Sequence, residues 1–456
     1  MVQIDFNVQN KVFHLSDMNA NDLLNPGTEL HDLKYDGFLD WFVSVTDPRI
    51  HWQHQPTYVI SQFAFLFGGL ATLIHALKRG GRLPWLWLGV ILHGFVVECL
   101  SYISPDIDNF WHSQTFMIFL ARRLPLHIIF LYACFLYNSS VAVAKMKLPK
   151  WAEPFAVGLV VVLIDIPYDI VSVRFAHWFW HDTDPNIYDR HYYVPWNSYY
   201  FHTTFAASFT FWFHYFRRLM CPSNGKWICS KSIIRELFAT MFAAVMGPIG
   251  GIILFLPIYH PLHDGYKIHS EVTFFILFTI SLVIIWSADR KPRNDSTNSK
   301  TKVHWTTKLI CLHLIIHYSS FLSMTIFFNP EDEIATGVKE TIGPCDEYSS
   351  IMTASGKVLS KRKYLCPTDY DEKYFDWSCL PGKKPPSNGA RWYTACGVPF
   401  ENRAEYIVII SLLCFLAANV FYQLHFRSSG DDVYNEKNRK EQNAPSKQAL
   451  KQKKRA

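Results

Sequence analysis

The sequence predicts an all-α fold, namely a polytopic bundle of about nine transmembrane helices with a small disulfide-containing loop on the luminal side. Half of the 456 residues are hydrophobic and only 18 % are charged, against about 25 % charged residues in an average soluble domain. Charges are rare because several stretches of roughly 20 residues hold almost none, and this is the helix length that crosses a bilayer core. A soluble core encloses one or two such helices, but not nine.

The predicted spans are charge-poor segments joined by short connections, except for a long one before the last. They cover residues 58–77, 85–102, 124–143, 155–173, 198–216, 237–259, 272–288, 305–328 and 406–426. This pattern divides the chain into five parts. They are an acidic N-terminal segment (1–57), an eight-span membrane domain (58–328), a loop with four cysteines (329–404), the ninth span (405–426) and a basic tail expected to be disordered (427–456).

Lysine and arginine are concentrated in every second connection between the spans. Short basic loops stay on the cytoplasmic side of a membrane, so an odd number of spans predicts a luminal N-terminus and a cytosolic C-terminus. The net charge of +6 reflects this bias and the basic tail. The sequence also lacks a glycine-rich phosphate-binding loop, and we therefore expect no nucleotide or nucleic-acid partner.

Four cysteines lie in the loop 329–404, which the charge pattern places in the lumen. Cys345, Cys366, Cys379 and Cys396 are separated by polar residues. Such a set predicts two disulfides, in one of three possible pairings, within an oxidising compartment. A four-cysteine zinc site is the alternative, although the loop has no closely paired Cys-x-x-Cys.

The tail ends in a basic motif that includes Lys453 and Lys454. Lysines three and four places from the C-terminus resemble the dilysine retrieval signal, an address that coat proteins bind on cytosolic tails. Together with the oxidising loop, the motif predicts a protein of the endoplasmic reticulum membrane. The alternative interpretation is a solvated basic tail without a receptor.

Several ionisable side chains lie within the predicted spans, mostly in their luminal halves, where an unpaired charge is costly and therefore indicates a function. Glu98 belongs to the second span, and Asp165 and Asp169 belong to the fourth. The two aspartates are four residues apart and share a helix face. Since two neighbouring carboxylates do not both ionise at low dielectric, they predict a shared proton or a bound cation. The alternative is a structural ion pair with Arg122 or Arg123.

The connection 174–202 is rich in aromatic and titratable residues and is predicted to cover the luminal mouth of the bundle as a lid. Besides Glu98, Asp165 and Asp169, the candidate catalytic residues are His181, Asp182, Asp184 and Arg190. The candidate substrate-binding residues are Trp178, Trp180, Tyr193, Trp196 and His202. An aromatic belt at the membrane interface, with solvated charges, is the alternative.

Three motifs resemble the carotenoid hydratase family of bacterial and archaeal integral membrane proteins. They are Glu98, the run DIPYDIVSVRFAHWFW that starts at Asp165, and YYVPWNS, which starts at Tyr192. The resemblance covers about residues 98–202, and Tyr193 departs from it because that family tends to have glycine before Val-Pro. The resemblance implies hydratase-like acid–base chemistry on a hydrophobic lipid or isoprenoid, without implying which substrate.

Hydration of an isolated double bond needs a proton donor, a shield for the carbocation and a base that activates water. One of the two aspartates of the fourth span suits the donor, and Glu98 or Asp182 suits the base. Tryptophan rings of the lid suit the carbocation through cation–π attraction. We expect no metal or other cofactor for this chemistry, and the expected partners are the bilayer, a lipid or isoprenoid ligand and coat proteins.

Two other functions fit the sequence. A metal-dependent lipid hydroxylase or desaturase would use histidine pairs at helical spacing, of which the chain has His177 with His181, His313 with His317 and His260 with His263. However, the chain lacks the adjacent His-His pairs that membrane di-iron enzymes have. A non-enzymatic lipid carrier, receptor or membrane-protein chaperone would use the same polar residues as a binding site.

Overall fold

The computed structural model describes residues 20–103, 109–181, 185–221, 225–289, 303–353, 355–370 and 373–427. These ranges are mostly helical and contain eight helices that are long and apolar enough to cross a membrane, so the chain is a multi-pass membrane protein. The eight helices are α1 (Pro56–Arg79), α2 (Leu83–Ile103), α3 (Leu126–Ala144), α4 (Glu153–Arg174), α6 (Ile233–Gly265), α7 (Ser270–Ala288), α8 (Trp305–Phe327) and α9 (Arg403–Phe426).

Helix α5 (Trp196–Met220) corresponds to the predicted span 198–216. Its 25 residues are enough to cross a bilayer, but its polar side chains make it less apolar than the other eight helices. It packs between α4 and α6, and its polar residues Asn197, Ser198 and Thr203 are buried. The prediction of about nine spans is therefore confirmed for eight helices by length and composition, and α5 is long enough to be the ninth.

Helix α4 is the most enclosed of these helices. In its most apolar 18-residue window, 83 % of the residues are buried, against 22 % in the corresponding window of α7. Ionisable side chains within a span face the interior of a bundle and not the lipid, and α4 carries two aspartates. Gly158 allows α4 to approach α5 closely, because a Cβ atom there would lie 2.4 Å from the backbone oxygen of Thr203. The polar residues of α4 are consequently held deep inside the bundle, next to α5.

Short strands and helices lie around the end of the bundle at which α1 begins and α4 ends. Two short helices, Gly37–Phe42 and Pro48–His54, precede α1. The strands of this region are β1 (Val43–Val45), β2 (Phe110–His112), β3 (Met117–Phe119), β4 (Leu124–Pro125), β5 (Trp178–Trp180), β6 (Arg190–His191) and β7 (Val194–Pro195). Antiparallel pairing joins β1 to β3, β3 to β4, β2 to β5 and β6 to β7.

The loop between α8 and α9 folds into a β-rich unit at the same end, which we name the cap. Its strands are β8 (Ile334–Val338), β9 (Tyr348–Met352), β10 (Val358–Arg362), β11 (Phe375–Asp376) and β12 (Trp392–Gly397). Strand β12 lies between β8 and β11, and β9 forms a hairpin with β10. The all-α class therefore describes the bundle but not the cap, where β-branched and aromatic residues between Pro- and Gly-containing turns favour strands.

Two disulfides cross-link the cap, as predicted. Cys345 is bonded to Cys366, and Cys379 is bonded to Cys396. Each bond joins cysteines that are neighbours in sequence order, which settles the pairing that the sequence left open. The bonds close loops of 21 and 17 residues, for which the chain-entropy account gives a stabilisation of roughly 3 kcal/mol each.

The cap is attached to the bundle by hydrogen bonds and by a buried cation. The hydroxyl group of Tyr374 accepts a hydrogen bond of 3.1 Å from the backbone N–H of Trp180. Arg174, at the end of α4, donates to the backbone oxygen of Val398 over 3.0 Å. The amine of Lys339 lies 3.4 Å from the centroid of the Phe179 ring. These contacts hold strand β5 between the cap and the bundle.

At the opposite end of the bundle, a buried ion-pair group joins three elements. Glu236 of α6 is fully buried, and its carboxylate lies 2.5 Å from Arg82 Nε and 2.8 Å from Nε of Arg217 on α5. Arg82 follows the predicted span 58–77 and Arg217 follows the predicted span 198–216. Both therefore belong to the basic connections from which the orientation was predicted. Removing one member of such a group leaves a buried charge without its partner.

We predict that Glu236→Ala lowers the free energy of unfolding by about 3–5 kcal/mol, because both arginines then remain buried without a carboxylate. Thermal unfolding of the purified chain in detergent measures the effect. The matched control is Glu331→Ala, which removes an exposed carboxylate and should change the melting temperature little. Equal effects of the two substitutions would contradict the role assigned to Glu236.

Glu333 lies between the cap and α1, where its carboxylate accepts a hydrogen bond of 3.3 Å from the backbone N–H of Thr57. Burial raises the pKa of Glu333 from 4.5 to about 8. The folded protein therefore holds the proton of Glu333 more tightly than the unfolded chain does. This proton stabilises the folded state fully below pH 4.5, and the stabilisation is lost as the pH rises through about 8.

We therefore predict that the melting temperature of the wild type falls between pH 5 and pH 9 more steeply than that of Glu333→Gln, since an amide does not ionise. Melting curves at several pH values measure the difference between the two slopes. The exposed residue Glu331 provides the control, Glu331→Gln, which should keep the slope of the wild type. A slope that Glu333→Gln leaves unchanged would disprove the prediction.

Candidate functional site

A cavity of about 360 Å³ lies within the bundle, between α2, α3, α4, α5 and α6. Its wall is mostly apolar and aromatic, and it includes Phe135 of α3, Phe201 of α5 and Phe255 of α6. The cap closes part of it through Ile351 and Met352 of β9. The volume falls in the range of about 300–1,000 Å³ that is typical of small-molecule sites.

Three ionisable side chains meet beside this cavity. Asp165 and Asp169 come from α4 and His202 comes from α5, and one ligating atom of each lies within 4.8 Å of the other two. His202 Nε2 is 3.2 Å from Asp165 Oδ1, and Ser198 Oγ donates a hydrogen bond of 2.8 Å to Asp169 Oδ2. Both aspartates are fully buried. Asp169 and His202 line the cavity, so the group is accessible to a molecule bound there.

The two arginines proposed as partners of these aspartates lie elsewhere. Arg122 Nη2 is 3.5 Å from Asp40 Oδ1. The guanidinium group of Arg123 lies over the rings of Tyr102 and Trp111, at 5.2 and 5.3 Å from their centroids. Among the described residues, neither arginine therefore forms the alternative ion pair with Asp165 or Asp169.

A second polar group lines the cavity on the α2 side. The Tyr132 hydroxyl of α3 donates a hydrogen bond of 2.8 Å to Glu98 Oε1. His112 Nε2 of β2 lies 3.9 Å from Glu98 Oε2. All three residues contribute to the cavity wall. The cavity therefore has a carboxyl group from α2 in addition to that of Asp169 from α4.

Two of the predicted tryptophans face the cavity and the third does not. Trp178 and Trp180 of β5 line it, with ring centroids 5.0 Å apart. Trp196 is buried outside the cavity wall, where its ring packs against Phe274 of α7 at 5.8 Å. The predicted lid thus contributes aromatic surface to the cavity through β5.

Three further predicted residues lie away from the cavity. His181 is buried near the cap, with its ring 5.0 Å from that of Trp111. Arg190 and Tyr193 line a separate polar crevice of about 620 Å³. The remaining predicted residues, Asp182, Asp184, Lys453 and Lys454, lie outside the residues that the structure describes.

The turn between β6 and β7 has an unusual backbone. Tyr192 and Tyr193 have φ values of 49° and 68°, the left-handed region that glycine adopts most easily and that two-residue hairpin turns require. The hydroxyl group of Tyr193 donates a hydrogen bond of 3.1 Å to Glu401 Oε1. This hydrogen bond fixes the ring of Tyr193 outside the cavity, beside the start of α9.

The histidine pairs at helical spacing have other partners. His177 Nε2 is 2.8 Å from Thr57 Oγ1, His313 Nδ1 is 3.2 Å from Asn138 Nδ2, and His317 Nε2 is 3.1 Å from the backbone oxygen of Ile164. Within the described part of the chain, no such pair belongs to a group of three side chains at metal-ligand distances. The ligand set expected for a hydroxylase or desaturase is therefore not formed by these residues.

A chain of histidine and aspartate side chains joins the cavity to the polar crevice. His260, which lines the cavity, is 2.7 Å from Asp264, and Asp264 is 2.9 Å from His263. Asp189 follows at 3.4 Å from His263, and His269 lies 3.3 Å from Asp189. Asp189 and His269 line the crevice. The two spaces are thus connected by titratable groups that can carry protons.

Sequence reasoning missed several of the residues around the cavity. Tyr132 looks like any other aromatic residue of a span, and His112 lies in a short connection without a motif. Ile351 is more than 180 positions from Asp169 along the chain, so only the folded cap brings it to the cavity. The signal that did exist was chemical: buried carboxylates in apolar helices.

The fold and the cavity define a multi-pass membrane protein with a capped, mostly apolar internal cavity and carboxyl groups on its wall. The chain matches the family described as Domain of unknown function (DUF7802) over residues 9–426, and it belongs to this family. No curated protein and no solved structure is significantly similar to the chain.

Proposed function

We propose that the protein binds a hydrophobic lipid or isoprenoid in the internal cavity and adds water to one of its double bonds. The observation that carries the proposal is an apolar, aromatic cavity whose wall holds carboxyl groups from two different helices, Glu98 of α2 and Asp169 of α4. An apolar chain gains about 0.8 kcal/mol for each CH₂ group that leaves water. Within a membrane that gain is small, so the polar groups supply the selectivity.

The two carboxyl groups suit the two proton transfers of hydration. Ser198 donates a hydrogen bond to Asp169, and Tyr132 donates one to Glu98, so these bonds alone do not assign the two roles. Glu98 suits the acid, because His112 lies near its second oxygen and can return a proton to it, and Asp169 is then the base that takes a proton from water. These roles differ from the sequence-based expectation, in which an aspartate of α4 donated the proton.

The reaction balances with water alone. Glu98 protonates one alkene carbon, the π bond breaks, and a C–H bond forms on that carbon. Water attacks the resulting cation through oxygen and loses a proton to Asp169, while Trp178, Tyr132 and Phe135, which line the cavity, present π faces to the cation. The resemblance to carotenoid hydratases over residues 98–202 supports this chemistry but does not identify the substrate.

The proposed location is the membrane of the endoplasmic reticulum, with the cap in the lumen and the C-terminus in the cytosol. The two disulfides of the cap favour an oxidising compartment. The basic connections lie at the opposite end of the bundle and favour the cytosolic side. The terminal Lys453 and Lys454 suit a retrieval signal bound by coat proteins.

We predict that Asp169→Asn abolishes the formation of a lipid that is heavier than its precursor by one water molecule, because an amide does not accept the proton from water. Untargeted lipid profiles compare cells with the wild type, Asp169→Asn and no protein. The precursor should accumulate in the last two strains. Asp40→Asn, which changes a carboxylate paired with Arg122 outside the cavity, is the matched control and should keep the product.

Other profiles would replace the proposal. A product that gains one oxygen, or loses two hydrogens, indicates oxidation instead of hydration. An unchanged profile in cells without the protein indicates a carrier, receptor or chaperone. The abundance of Asp169→Asn, measured on the same membranes, separates lost activity from lost folding.

A further inference from the structure

We propose that Asp165, Asp169 and His202 bind one divalent first-row transition metal ion. The ion would lie beside the cavity in which we propose that the lipid binds. Binding of the ion depends only on these three side chains, and not on which lipid is bound. The first argument is geometric, because a ligating atom of each side chain lies within 4.8 Å of the other two. Two helices supply them, so the site forms only where α4 packs on α5.

The second argument is that acceptor atoms remain without donors. Asp165 has no exposed surface, and neither of its oxygens has a hydrogen-bond partner in the described part of the chain. Its close contact is the ion-pair distance of 3.2 Å to His202 Nε2. Asp169 Oδ1 likewise has no hydrogen-bond partner among the described residues, whereas Asp169 Oδ2 accepts from Ser198. Three buried carboxylate oxygens thus have no donor except the nearby imidazole of His202 or a proton shared between the two carboxyl groups, and buried acceptors without donors are unfavourable.

A shared proton is the simplest alternative to a metal ion. One proton between the two carboxyl groups supplies a single donor, and the remaining acceptor atoms stay unsatisfied. A divalent cation offsets both negative charges and bonds to an oxygen of each carboxylate and to a nitrogen of His202. Both would engage one oxygen of each carboxyl group, but the cation offsets both negative charges and also bonds to the imidazole, whereas the proton leaves one negative charge buried.

The ligand types restrict the choice of metal. Carboxylate oxygens bind Mg²⁺, Ca²⁺ and Mn²⁺, whereas imidazole favours Zn²⁺ and other transition ions, so two aspartates with one histidine suit Zn²⁺, Fe²⁺ or Mn²⁺. Metal–ligand bonds of about 2.0–2.2 Å place two ligands at most about 4.4 Å apart, so the three side chains would close slightly around the ion. Three protein ligands would also leave a position open, and Asp169 and His202 both line the cavity.

Metal analysis of the full-length chain tests the proposal. The chain is purified in detergent with a tag that contains no histidine, incubated with ZnCl₂ or MnCl₂, freed of excess salt and analysed by mass spectrometry of the elements. We expect about one ion per chain in the wild type. Asp165→Asn and Asp169→Asn should each reduce the content roughly ten-fold or more, because each removes a ligand that carries charge.

The matched control is His313→Gln, which changes a fully buried histidine of α8 that pairs with Asn138. It should keep the metal content of the wild type. Loss of the ion from His313→Gln but not from Asp169→Asn would overturn the site, and so would a wild type that binds no ion after incubation with either salt.

A measurement on the wild type covers the case in which a variant does not fold. A chelator should lower the melting temperature, and Zn²⁺ or Mn²⁺ but not Mg²⁺ should restore it, because a ligand that binds only the folded state stabilises it. An unchanged melting temperature would count against the site. The lipid profiles are read separately. A bound ion without a lipid change contradicts the hydratase function alone, and a hydrated product without a bound ion contradicts the metal site alone.

Discussion

The structure depends on the burial of two carboxyl groups in the most enclosed helix of the bundle. Asp165 and Asp169 lie on α4, and neither has exposed surface. Charged groups in such surroundings are unfavourable unless other groups compensate for them. Helix α5 provides part of the compensation through Ser198 and His202, which explains why this helix is more polar than its neighbours and yet lies inside the bundle.

The cavity follows from the same arrangement. Helices α2, α3 and α6 surround the polar face of α4 and α5 with apolar and aromatic side chains, but they leave about 360 Å³ unfilled. The cap and strand β5 cover part of this space, and the two disulfides cross-link the cap. The cap is therefore part of the cavity wall and not only a connection between α8 and α9.

Much of the bundle could be predicted from the sequence, because an apolar stretch of membrane-spanning length has few alternative structures. The shared face of Asp165 and Asp169 followed from helix geometry, and the disulfides followed from cysteine placement. The pairing of β12 with β8 could not be predicted in the same way, since the two strands are far apart in the chain. The contact of Asp165 with His202 could not be predicted from the sequence either. Nor could the position of Arg190 and Tyr193, which line a separate crevice.

The central claim is that the cavity holds an apolar chain, and native mass spectrometry of the purified protein tests it most directly. Ala206 of α5 lines the cavity, so Ala206→Trp fills the space that the chain would occupy, whereas Leu412→Trp adds the same ring on the exposed side of α9. The account predicts a co-purified lipid or isoprenoid on the wild type and on Leu412→Trp, and its loss from a folded Ala206→Trp. A wild type without bound lipid, or equal lipid on Ala206→Trp, would contradict the account.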